Sequence, residues 1–166
     1  MSEGTLRNDV VEDDERVARV LFAPSYISEG RVAPTAFRWY RFKNGEVEDY
    51  ISVLRDNGGE IEKQSRKFTA RDDGDVRYGY TWLSAKDIRL INEVIIDSKV
   101  CLHPRPTKRL PNHAGIYVYI GEQLVDGNTP ICAEVSIIQK LLANRCSEPI
   151  PFINNNLPCC SDGGEK

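Results

Sequence analysis

The chain has 166 residues, 40% of them hydrophobic and 28% charged, with a formal net charge of −3. That length can bury a self-sufficient core and fits a single domain. The near-neutral balance argues against bulk nucleic-acid binding, and the longest apolar run, Ile116 to Ile120, is far too short to span a bilayer.

The charge is unevenly spread. Residues 1–16 hold six acids and two bases, so they contribute −4 and the other 150 residues sum to +1. Such a segment, poor in aromatics, reads as an acidic flexible tail over residues 1–15. It carries no apolar core of a secretory signal, so a cytoplasmic location is expected. A single globular domain is expected over 16–146, followed by an irregular tail over 147–166.

Arg16 to Phe22 (RVARVLF) reads as the first strand, closed by Pro24. Ala36 to Phe42 and Val47 to Arg55 flank KNGE, where Asn44-Gly45 suits a tight hairpin turn. Glu60 to Phe68 and Asp75 to Leu83 flank RDDG, a second hairpin candidate. Along its last arm Tyr78, Tyr80 and Trp82 share one face, and Arg77, Gly79 and Thr81 the other.

The period then changes. Ser84 followed by Asp87 resembles a capping box, and Ile88, Ile91 and Ile95 recur at helical spacing, which predicts a helix over Ala85–Ile96. Thr129 can cap a second helix, with Pro130 in its first turn and Ile131, Val135, Ile138 and Leu142 on one face. Between the helices stand a short strand at Val100–His103 and a stronger one at Gly115–Ile120. The latter is apolar on both faces, as for a central strand covered by helices. The fold class expected is α+β: a mostly antiparallel twisted sheet built from hairpins, with two helices packed on one face.

Both histidines lie in CLHPRPTKRLPNHAGIYV (Cys101–Val118). Lys99, Arg105, Lys108 and Arg109 put four positive charges, and no acid, into a proline-stiffened stretch ending at His113. Arg105, Lys108, Arg109 and His113 are therefore candidates for binding an anion or a partner. Trp39, Tyr40 and Phe42 are candidates for a partner surface, because a regular strand cannot turn all three inward. For catalysis, His113 or His103 can serve as a base and Ser52 or Cys101 as a nucleophile, yet no known nucleophile elbow, zinc motif or phosphate loop is present. Cys101, His103 and His113 offer three metal donors at most. The next cysteine, Cys132, falls in the predicted helix, so no metal site is expected. Five cysteines without C-x-x-C spacing read as reduced. No motif requires a cofactor.

These observations lead to one expectation and one alternative. The first is a non-enzymatic accessory or adaptor protein acting through protein–protein interaction, away from membranes. The alternative is a small enzyme, or a phosphate- or nucleic-acid-binding domain, centred on the basic Lys99–His113 loop.

Overall fold

The computed structural model describes residues 10–42, 44–56, 60–68 and 74–153. The strands are β1 (Arg16–Ala23), β2 (Ile27–Ser28), β3 (Arg31–Val32), β4 (Ile51–Arg55), β5 (Val76–Ser84), β6 (Ser98–Pro104), β7 (His113–Ile120), β8 (Gln123–Leu124) and β9 (Ile150–Pro151). The helices are α1 (Ile61–Gln64), α2 (Ala85–Leu90) and α3 (Ala133–Asn144). The main sheet runs β6-β7-β4-β1-β5-β9 with β8 added to β7, and its pairings are antiparallel. The α+β expectation holds.

The register divides the sheet into two chemically different faces. On one, Val17, Arg19 and Leu21 of β1 pair with Leu83, Thr81 and Gly79 of β5. Val53 and Ile51 of β4 continue that face to Ala114 and Ile116 of β7, and Val100 and Leu102 of β6 complete it. All of these are buried: α2 packs on β5 and β6, and α3 and the 3-10 turn Pro34–Ala36 pack together in the same core, while Gly79 lies against the backbone of β9. Arg19 is tolerated there because its Nε donates to Ala36 O at 2.9 Å and a terminal nitrogen donates to Ser52 O at 2.8 Å.

Ser84 caps α2 as its sequence implies, accepting from Asp87 N–H at 3.3 Å. The helix is shorter than expected, passing into a 3-10 turn at Ile91–Glu93. That turn aims Asn92 at the free edge of β6, where its amide bonds both the N–H and the C=O of Val100 at 2.8 Å. A side chain thereby occupies an edge that another strand could pair with. Helix α3 begins later than expected. Thr129 closes a turn with Asp126 instead of capping the helix, and Ile131 is 59% exposed. Val135, Ile138 and Leu142 do form its buried face.

Three expectations are corrected. Ala36 to Phe42 is not a regular strand: its ladder shrinks to one bridge, Arg41 to Val47, around the Asn44-Gly45 turn. Phe37 and Trp39 both turn into the core, which alternation on a strand face also allows, but the backbone there is irregular. Glu60 to Phe68 forms α1 and a 3-10 turn because Ile61 and Ser65, four apart, are the two buried positions. Strand β7 is interior but covered by helices on one face only, since Tyr117 and Tyr119 on the other are half-buried. Residues 71–73 of the RDDG turn lie outside the described residues.

The body also extends past both expected tails. Val11 is fully buried, and Glu15 pairs with Arg55. At the other end Ser147 O accepts from Thr81 Oγ1 at 2.7 Å, β9 pairs with β5, and Phe152 stacks on Tyr80. Among the described residues no helix is long and apolar enough to cross a membrane.

Candidate functional site

The second sheet face carries the chemistry. Leu54 pairs with His113 and Ser52 with Gly115, so Ser52 and His113 are diagonal neighbours on that face. Ser52 Oγ and His113 Nε2 are 2.8 Å apart. On the other side of the ring, Nδ1 lies 3.0 Å from Arg105 O. A carbonyl oxygen only accepts, so Nδ1 carries the proton and Nε2 of the neutral ring accepts from Ser52. Burial holds the imidazole below its ordinary value of 6.5, and the charges of Arg105 and Arg19 act in the same direction. The hydrogen bond to Arg105 O and the charge of Glu48 oppose them.

Gly115 makes room for a third residue. A Cβ there would stand 2.9 Å from Tyr50 Cδ2 and 3.1 Å from Tyr117 Cε1. Without one, the Tyr50 ring settles over β7, 5.7 Å from both the His113 and the Tyr117 rings. The Arg105 guanidinium then lies over Tyr50, 4.4 Å from its centroid, and donates to the Tyr117 hydroxyl at 3.1 Å. Hydrogen bonding to Tyr50 raises the guanidinium above its ordinary value, against the effect of its partial burial.

The backbone explains why Arg105 and His113 meet. Arg105 N–H donates to His113 O, and His113 N–H to Leu110 O, so residues 105–112 form the closed tip of the β6–β7 hairpin. Thr107 Oγ1 accepts from Leu110 N–H and tightens it further. Ser52, His113 and Arg105 line an open cleft of about 490 Å³ with Phe42, Glu48, Asp49, Tyr50, Lys67 and Phe68. Its walls carry both signs of charge.

No family model, curated protein or solved structure matches this chain. The site is therefore read from its own geometry.

Of the basic candidates, Arg105 and His113 come together, whereas Lys108 and Arg109 stand exposed on the hairpin tip and do not line the cleft. Of the aromatic candidates only Phe42 reaches the cleft, at 37% exposure. Trp39 belongs to the core at 8% exposure. Tyr40 is tied to Tyr26, hydroxyl to hydroxyl at 2.7 Å, and accepts from Arg38. Its hydroxyl is pushed up to about 12, by burial first and by the Tyr26 bond second.

His103 sits on the same face, with its ring 5.6 Å from Tyr117, but it is exposed and outside the cleft. Among the described residues no three His, Cys, Asp or Glu side chains group as metal ligands. Cys101, Cys132 and Cys146 are free thiols, while Cys159 and Cys160 lie outside the described residues. Lys67 and Phe68 join the site only through the unexpected helical turn. Gly115 had one available signal, its position between two face-sharing residues, His113 and Tyr117.

Proposed function

We propose that the chain is a recognition module that takes a short segment of another protein into this cleft and binds its acidic group at Arg105. The observation that carries the reading is how Arg105 is held. Arg16, Arg55 and Arg89 are each matched to a carboxylate. Among the described residues Arg105 has an aromatic ring beneath it and a tyrosine hydroxyl beside it, but no carboxylate within ion-pairing distance. A cation positioned before its counter-charge arrives loses less freedom on binding. Its planar fork also matches a carboxylate. Phe42, Phe68 and Leu110 add apolar wall for a side chain next to the acid, and Glu48 and Asp49 disfavour an all-acidic segment.

The test is an array of ten-residue peptides that vary in the number and position of acidic residues, probed with the wild-type protein and Arg105→Ala. Peptides with an acid beside an apolar residue should bind, and binding should fall at least tenfold in the variant and weaken with salt. Equal binding by both proteins, or by none of the peptides, rejects the reading.

A further inference from the structure

We propose that Ser52 is a nucleophile activated by His113, which cleaves small carboxylic esters admitted by the cleft. This activity goes beyond peptide recognition and does not depend on it.

A half-buried serine hydroxyl needs a hydrogen-bond partner in any fold, so the bond to Nε2 alone would be ordinary. Three further features set this pair apart. The tautomer is chosen by Arg105 O, which leaves the lone pair of Nε2 directed at Ser52 and not at solvent. The imidazole is 5% exposed and its ring is flanked by Tyr50 at 5.7 Å and Phe68 at 6.5 Å, so its orientation is set before any ligand arrives. Ser52 itself is only partly buried and stands on the wall of the open cleft. Nucleophile, base and an orienting acceptor, each in hydrogen-bond reach of the next, make the arrangement that activates a serine.

In the reaction, Ser52 Oγ attacks the ester carbonyl carbon while its proton passes to His113 Nε2. The bond from that carbon to the alcohol oxygen then breaks, and the departing alkoxide takes the proton back from Nε2. Water enters by the same route, giving its proton to Nε2 as it attacks the acyl-serine. Release of the carboxylic acid returns that proton to Ser52. The sum is ester plus water to acid plus alcohol. Arg105 and Lys67 are the cleft-lining cations available to the oxyanion. The third member of the relay is a neutral carbonyl where many triads have a carboxylate, so the imidazolium is less stabilised and turnover should be slow.

The probe is an alkyl fluorophosphonate, which forms an O–P bond to an activated serine with loss of fluoride. Wild-type protein should gain one adduct, mapped to Ser52 by peptide mass analysis. Ser52→Ala should gain none, and His113→Gln should react at least tenfold more slowly while p-nitrophenyl acetate hydrolysis falls in parallel. No adduct, an adduct elsewhere, or equal rates in the two histidine forms overturns the proposal. Should His113→Gln fail to fold, the wild-type pH profile decides. Labelling should rise with loss of a proton from a group below the usual histidine range, whereas a flat profile overturns it. Ser52→Ala separates the two readings: loss of labelling with acidic-peptide binding retained would show that they stand independently.

Discussion

Arg55 and Glu15 form a two-pronged ion pair 40 residues apart, with Nε to Oε1 at 2.9 Å and a terminal nitrogen to Oε2 at 2.8 Å. The guanidinium side chain is 2% exposed, so the charge is buried, and Glu15 supplies a counter-charge to it while the Val10 carbonyl accepts from a terminal nitrogen at 3.1 Å. Removing one partner of a buried pair leaves the other uncompensated, which costs about 3–5 kcal/mol. Glu15→Ala should therefore lower stability by that order in urea unfolding. Asp13→Ala, which removes the more exposed partner of Arg89, should cost less than about 1 kcal/mol.

The same pair sets an acid limit. Burial alone would raise the Glu15 carboxyl, but the Arg55 hydrogen bond, the Glu12 N–H and the charges of Arg55 and Arg89 outweigh it and hold it below the ordinary 4.5. A depressed carboxyl stabilises the fold above its unfolded value, and that contribution is lost as pH falls through the lower folded value. Glu15→Gln should flatten the stability curve below about pH 4.5, and an unchanged curve would dissociate Glu15 from acid unfolding.

His113 governs a higher window. Its folded value lies below the ordinary 6.5 because the imidazole is buried, with Arg105, Glu48 and Arg19 as its charged neighbours. Below the unfolded value, the unfolded chain takes up a proton that the folded chain refuses, so stability falls as pH drops from there through the folded value. His113→Gln should remove this slope while leaving the Glu15 region intact, read by melting temperature from pH 7 downward.

Trp39 separates packing from polarity. Its ring is buried, and Nε1 has no acceptor among the described residues. Trp39→Ala should cost about 3–5 kcal/mol. Trp39→Phe keeps most of the apolar area and removes an unpaired donor, so its cost should be under about 1.5 kcal/mol. Equal costs in thermal unfolding would mean that the indole N–H has a partner.

Gly79 is the hinge-point of the C-terminal strap. A Cβ there would stand 2.1 Å from Ile150 O, a backbone atom that cannot yield without moving β9. Gly79→Ala should release Ile150–Pro151 from β5 and expose Tyr80 and Phe152, which hydrogen exchange at Tyr80 and Phe152 would register. Protection in β1 and β4 should persist.

Gly115→Ala makes the corresponding test at the cleft. The added methyl collides with the Tyr50 ring, and Arg105 loses the surface it lies on. The upfield ring-current shift of the Arg105 side-chain protons should disappear, with stability down by about 1–3 kcal/mol from overpacking. A retained shift would mean that Tyr50 does not support Arg105.

Local chemistry was legible where neighbours in sequence decide the outcome. The Ser84 cap, the Asn44-Gly45 turn, the first strand and the apolar face of α3 all follow from a few adjacent residues. Elsewhere distant partners outweigh local propensity. EIEKQSRKF has no compelling period, and packing at Ile61 and Ser65 selects a helix. WYRF has high strand propensity, yet Trp39 is drawn into a core that no local pattern describes. The acidic start looked solvated because its charges were visible and their partners, Arg55 and Arg89, were not.

The sequence by itself therefore determined the class of fold, its turns and caps, and a short roster of reactive side chains that included Ser52, Arg105 and His113. Only the tertiary structure decided which of them meet. Pairing of β4 with β7 brings residues 61 apart within hydrogen-bond distance. Closure of the β6–β7 hairpin then supplies the Arg105 carbonyl to the far side of the same ring. Strand register is a property of two segments at once, and a shift of one residue would have turned Ser52 and His113 to opposite faces.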